Sequence, residues 1–158
     1  MPRLVALVGA SPGALHTTLC LLRQRGIQVD EVVVVATRRE WGAEAVEIAR
    51  SCPCPGTGEP PAPAAICIIT LPYTDVEGPH HLAQLRRTLS TLLGPNTILD
   101  VTGGRKLMSI AAALEALRTG ATIAATTIPH EEYTRIHSAQ ALCDKTVRDP
   151  GKARLILL

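Results

Sequence analysis

The chain has 158 residues, 46% of them apolar, with a formal net charge of +2 and a pI near 8.4. That length fits one domain with a full core, and the apolar share excludes a disordered chain. The weak positive charge excludes the dense basic stripe of a duplex-DNA binder. The scarcity of aromatics (Trp41, Tyr73 and Tyr133, with no Phe) excludes a stacked platform for single-stranded nucleic acid.

The first apolar run, Leu4–Gly9, follows a single Arg3 and stops at Ser11-Pro12-Gly13. It reads as a first strand rather than a secretion signal, and no run reaches membrane-span length. The expectation is a cytoplasmic protein with no membrane partner. A helix follows at Ala14–Arg25 with Leu15, Leu19 and Leu22 on one face. Next come a strand at Glu31–Thr37, a shorter helix from about Glu40 to Arg50, a Pro/Gly-rich loop at Ser51–Pro63 and a strand at Ala65–Leu71.

The helix at Pro79–Leu93 carries Leu82, Leu85, Leu89 and Leu92 at three- and four-residue spacing. A strand at Thr97–Thr102 leads into a helix at Arg105–Thr119, with Met108, Ala111, Leu114 and Leu117 on one face as its apolar stripe and Gly120 as its stop. A fifth strand is expected at Ala121–Ile128. Beyond Pro129 the pattern weakens: Tyr133–His137 reads as a strand, Ser138–Lys145 as a short helix and Arg154–Leu158 as a closing strand. The strands are nearly continuous apolar runs, as when helices cover both sheet faces. The alternation predicts an α/β fold, a Rossmann-like, doubly wound, mainly parallel sheet in a single domain over 1–158, with its core at 4–136.

Five cysteines are present. Cys20 and Cys67 fall inside apolar segments and read as small core residues. Cys52-Pro-Cys54 lacks a second Cys or His pair at zinc-site spacing, so no metal is expected. A Cys52–Cys54 or longer-range disulfide fits a hyperthermophile source. The 13 Arg against 3 Lys fit a GC-rich genome equally well.

In open α/β sheets ligands bind beyond the carboxyl ends of the strands. Three informative segments are expected there: Gly9-Ala10-Ser11-Pro12-Gly13, Asp100–Lys106 and Ile128–Tyr133. Within the second, Gly103 and Gly104 allow close backbone approach and positive φ. The free N–H groups of the following helix, together with Arg105 and Lys106, suit a phosphate. Gly-Gly-Arg-Lys lacks the spacing of a Walker loop. Each residue also has a plainer reading. Ser11 before Pro12 fits a helix N-cap. Asp100 fits a turn-fixing acceptor. His130 fits either a proton carrier or a solvated loop histidine. His80 and His81 read as surface residues, and Trp41 as packing a helix start against the sheet.

Asp-Val-Thr-Gly-Gly-Arg-Lys-Leu-Met-Ser at 100–109 resembles the signature of the CARF superfamily, the CRISPR-associated Rossmann domains that sense cyclic oligoadenylates. Together with Val8–Gly13 and Ile128–Tyr133 it is similar to the stand-alone archaeal CRISPR ring nucleases, over about Leu4 to Ile136. The resemblance implies a homodimer with cyclic tetra-adenylate bound across its two-fold axis. It implies cleavage to linear di-adenylate with a 2′,3′-cyclic phosphate, without metal or other cofactor. It points to Ser11 and Lys106 as the catalytic pair. It makes Gly9, Ala10, Thr102, Gly103, Gly104, Arg105, Pro129 and His130 ligand-binding residues. The chain is short for the family, and its tail after Ile136 does not match clearly.

Two rivals stand beside this reading. One is a non-hydrolytic cyclic oligoadenylate sensor, but no effector segment, HEPN-type Arg-x4–6-His element or helix-turn-helix is evident in the sequence. The other is an unrelated Rossmann enzyme, but the first strand is not followed by Gly-x-Gly-x-x-Gly.

Overall fold

A computed structural model describes residues 2–158. Six strands form one sheet: β1 (Arg3–Val8), β2 (Glu31–Ala36), β3 (Ala65–Thr70), β4 (Thr97–Asp100), β5 (Thr122–Thr127) and β6 (Arg154–Leu157). Their order is β3-β2-β1-β4-β5-β6. The first five are parallel and β6 runs antiparallel to β5. This is the doubly wound order, and its switch point lies between β1 and β4, where the chain leaves one side of β1 and returns on the other.

The helices are α1 (Gly13–Gln24), α2 (Arg39–Ser51), α3 (Pro79–Ser90), α4 (Lys106–Thr119) and α5 (His130–Ser138). Helices α1 and α2 cover one face, where Leu15, Leu19, Leu22, Ala45 and Val46 pack against Leu4, Val32 and Val34. On the other face, Leu85 and Leu89 of α3 and Met108, Ala111, Ala112 and Ala116 of α4 pack against Val5, Val33, Val35 and Leu99. No helix among the described residues is long and apolar enough to cross a membrane.

Four expectations are corrected. Tyr133–His137 is not a strand but the body of α5: Pro129 stands at its cap, and Tyr133 N–H donates to the Pro129 carbonyl at 3.0 Å. The helix expected at Ser138–Lys145 shrinks to one 3-10 turn at Leu142–Lys145. Strand β3 is apolar yet largely open, with Ala65, Cys67, Ile68 and Thr70 exposed. It is an edge strand paired only with β2, so Cys67 is an exposed free thiol rather than a core residue. Finally, Leu114 and Leu117 of α4 point to solvent, at 50% and 71% exposure. The helix is apolar on two sides. Its small residues face the sheet, and Leu107, Ile110, Leu114 and Leu117 form a second, outer stripe.

The other four cysteines form two disulfides, Cys20–Cys54 and Cys52–Cys143, so the longer-range alternative holds in place of a Cys52–Cys54 bond, and Cys20 is a bonded cysteine rather than a small core residue. The second bond spans 91 residues and ties the C-terminal segment to the end of α2. The fit is tight: a Cβ on Gly13 would stand 2.0 Å from the Lys145 carbonyl oxygen. The tail then closes the sheet through β6, as the sequence predicts.

Candidate functional site

The loops after β1 and β4 meet at the switch point. A Cβ on Gly9 would lie 2.5 Å from the Gly103 carbonyl oxygen, and one on Gly103 would lie 2.4 Å from that of Leu7. These glycines are required by backbone contact between the two loops. The expectation of positive φ at Gly103 and Gly104 is corrected, since positive-φ glycines are found at 26, 56, 58 and 120. At Gly120 a φ of 79° closes α4, as predicted.

Asp100 anchors the second loop. It is 1% exposed, and its Oδ1 accepts the Thr102 N–H at 3.0 Å and the Thr102 hydroxyl at 2.5 Å. Thr102 Oγ1 in turn accepts the Thr126 N–H at 2.8 Å, which joins the loop to β5. Burial pushes the Asp100 carboxyl above its ordinary pKa, and the hydrogen bonds from Thr102 oppose that shift. Ser109 donates to the Val101 carbonyl at 3.1 Å and pins the first turn of α4 beneath the loop. The turn-fixing role read for Asp100 is therefore present.

Two helix starts face this region without a side-chain cap. Pro12, already helical at φ −69° and ψ −21°, occupies the cap position of α1, so the N-cap reading of Ser11 is corrected. Arg105 holds the cap position of α4, again with no capping side chain. Open N–H groups and the positive ends of two helix dipoles thus converge, an arrangement suited to an anion. Arg105 is exposed and pairs with Asp75 of the β3–α3 loop at 3.0 Å. Lys106, the first residue of α4, is exposed and forms no ion pair among the described residues.

Gly9, Ala10, Ser11, Thr102, Gly103, Gly104 and Arg105 line one cavity of about 350 Å³. Its remaining walls are Trp41, Thr126, Ile128 and Tyr133. Lys106 does not line it, and neither do Pro129 and His130. The latter two are exposed at the start of α5, between Ile128 and Tyr133, which do. Tyr133 lies in the Ile128–Tyr133 segment expected at this end of the sheet, whereas Trp41 is a lining residue that sequence reasoning missed. Trp41 packs against the core on one side and carries the Arg38 guanidinium at 5.0 Å from its ring centroid. Tyr133 stacks on His137 at 4.4 Å. Beyond Ser11 the surface continues past Glu44, His137 and Lys145, with Lys145 paired to Glu44.

Behind Tyr133, Glu132 organises the tail. It pairs with Arg135, whose guanidinium also donates to the carbonyls of Asp144 at 2.9 Å and Thr146 at 2.7 Å. The hydrogen bond from Arg135 outweighs burial and holds the Glu132 carboxyl below its ordinary value of 4.5. A depressed folded pKa gives stability that is present above the ordinary pKa and is lost as pH falls through the folded one. The expected result is a Glu132→Gln variant less stable than the parent at neutral pH, by about 1–3 kcal/mol. That gap should close as pH falls from about 5 toward 3, and thermal melts across that range check it.

A doubly wound, mainly parallel sheet with an anion-suited cleft at its switch point makes the chain a Rossmann-like α/β domain. Two solved structures share the fold. One is Can2 from Sulfobacillus thermosulfidooxidans in complex with cyclic tetra-adenylate (TM-score 0.50, 20% identity), matched over 79% of this chain and 32% of that one. The other is Enterococcus italicus Csm6 bound to cyclic hexa-2′-fluoro-hexa-dAMP (TM-score 0.52, 17% identity), matched over 83% of this chain and 35% of that one. This chain thus spans about a third of either protein. No family model matches the chain. It is, however, 35% identical over 136 residues to the CRISPR system ring nuclease SSO2081 of Saccharolobus solfataricus, a match covering 86% of this chain and 76% of that protein. The chain belongs to the CRISPR ring nuclease family.

Proposed function

We propose that this protein is a cytoplasmic, metal-independent ring nuclease. It opens cyclic tetra-adenylate into linear di-adenylate bearing a 2′,3′-cyclic phosphate and so ends a type III CRISPR signal. The observation that carries this reading is the cleft at the switch point, where Ser11 and the Thr102–Arg105 loop share one cavity between two uncapped helix starts. Ligand binding involves Gly9, Ala10, Thr102, Gly103, Gly104 and Arg105, with Pro129 and His130 meeting the ring beyond the cavity.

In this mechanism the nucleophile belongs to the substrate. A ribose 2′-oxygen attacks the adjacent phosphorus, a P–O bond forms, and the 5′-oxygen leaves and takes up a proton. The protein's task is in-line alignment and charge stabilisation. Ser11, whose side chain is not used to cap α1, orients the phosphate or ribose. Lys106 neutralises charge developing on the phosphoryl oxygens, and Arg105 holds a neighbouring phosphate, with bidentate contact available to its guanidinium. A homodimer would present this set twice to a ring of matching symmetry. The outer stripe of α4, Leu107, Ile110, Leu114 and Leu117, supports that pairing. It is an apolar face with no cover in the protomer, on the helix that starts at the site.

The test is incubation with cyclic tetra-adenylate in excess EDTA, with products resolved by chromatography and mass spectrometry. Linear di-adenylate with a cyclic phosphate end is the expected product. A ring that binds and stays intact would instead mean a sensor.

A further inference from the structure

His16 lies in α1, one turn beyond the site, but it turns away from the cleft into a separate cavity of about 110 Å³ that it lines with Cys20, Cys54, Pro55 and Val147. It is 1% exposed. The ring-opening chemistry makes no use of it. His16 and Cys20 are four residues apart on the helix and therefore share one face. Cys54 reaches the same point from the irregular loop after α2. The imidazole nitrogens and the two sulfurs offer one donor each within 4.8 Å of one another.

The geometry points to a second site, a thiolate–imidazole centre for a zinc-class cation, formed by His16, Cys20 and Cys54 when the Cys20–Cys54 disulfide is opened. Three observations carry it. First, the Nε2 of His16 lies 2.9 Å from the Cys52 carbonyl oxygen. A carbonyl only accepts, so the proton sits on Nε2 and the Nδ1 lone pair is left available, the orientation that buried metal-binding histidines receive from a neighbouring carbonyl. Second, Cys20 Sγ stands 3.8 Å from that Nδ1 and 3.7 Å from Nε2. Tetrahedral zinc, with bonds of about 2.3 Å to sulfur and about 2.0–2.1 Å to nitrogen, sets such ligand atoms roughly 3.5 Å apart, so helix α1 already holds two donors at nearly the required separation. Third, Cys54 brings the third donor from the loop after α2, and the cavity of about 110 Å³ beside it leaves room for a water as fourth ligand.

The chemistry balances with a thiol reductant. Two RSH reduce the disulfide to two cysteine thiols and yield one RSSR. Metal binding then releases both thiol protons to solvent. Two thiolates and an imidazole favour zinc and its relatives over magnesium or calcium, which prefer oxygen ligands. The chain would hold α1 and the 52–63 loop together by a covalent bond under oxidising conditions and by a metal ion under reducing ones.

The experiment uses the full chain, reduced and freed of reductant without oxygen, titrated with Co(II) as a spectroscopic stand-in and then with Zn(II). Thiolate-to-cobalt charge-transfer absorption saturating at about one ion per chain is expected, displaced by zinc, and absent from the oxidised protein. His16→Ala, Cys20→Ser and Cys54→Ser should each weaken binding by at least about tenfold. Cys143→Ser removes only a thiol of the other cysteine pair and should retain the spectrum. Circular dichroism of the reduced protein separates loss of the site from loss of the fold. A folded, reduced chain that takes up no cobalt would overturn the proposal, as would uptake that survives Cys20→Ser or vanishes in Cys143→Ser.

Discussion

Lys106→Ala is expected to lose roughly 100- to 1,000-fold in the single-turnover rate of cyclic tetra-adenylate opening, while its Kd rises by less than about tenfold. The asymmetry follows from where the two cations of the loop stand. Arg105 is engaged with Asp75 at 3.0 Å, so it must exchange or share a partner to hold a phosphate. Lys106 has no ion pair among the described residues and begins α4 where the helix N–H groups are open. A ground-state phosphodiester carries one negative charge, already served by those N–H groups and by Arg105. The transition state places additional charge on the phosphoryl oxygens, and an ammonium directed at that charge acts on rate more than on affinity. Arg105→Ala should show the opposite balance, with the larger effect on Kd. Rapid-quench kinetics on both variants, with binding measured calorimetrically on Lys106→Ala with and without Arg105→Ala, checks both. Unchanged cleavage in Lys106→Ala would remove the lysine from the mechanism.

The fold was legible because its signals are local. Apolar runs of strand length alternate with three-and-four-residue spacing, and Gly120 marks a helix stop that the structure closes with positive φ. The place of the cavity was legible for the same reason, since a Gly-rich turn between a strand and a helix has a fixed place in a doubly wound sheet. What sequence could not reveal is which side of an element faces inward when both sides are apolar. In α4 the small residues Ala111, Ala112 and Ala116 take the sheet because helix and strand approach closely there, and the leucines are left outside. A pattern of hydrophobicity alone favours the leucines. Strand β3 fails in the same manner, because its position at the sheet edge is a property of topology and not of composition. Trp41 was missed as a lining residue because the other walls of the cavity come from distant segments. The role of Gly103 was misread for a related reason. Its constraint is the carbonyl of Leu7, nearly a hundred positions away, and not its own φ.

Placing a carboxylate on the outer stripe of α4 is expected to separate the proposed dimer and to lower ring cleavage by about 100-fold or more. Ile110→Glu and Leu114→Glu suit the purpose, since both positions are half-exposed in the protomer, at 53% and 50%. Their charge costs little within one chain. Buried unpaired between two copies, each carboxylate would cost several kcal/mol, and a two-fold interface incurs that cost twice. Melting temperatures should therefore move by only a few degrees at low protein concentration, whereas Ala112→Glu, at a position with 0% exposure against the sheet, should destabilise the fold itself. With the axis running along paired α4 helices, both Thr102–Lys106 loops would fall at the same end and share one ring. Loss of association should then carry activity with it, even though no residue of the cleft has changed. Light scattering coupled to size exclusion, run beside the cleavage assay, reads the two effects together. Monomers that still cleave at the parental rate would show that one protomer's cleft suffices. A parental chain already monomeric at assay concentration would leave the leucine stripe without its proposed partner, and the shared site would have to be abandoned.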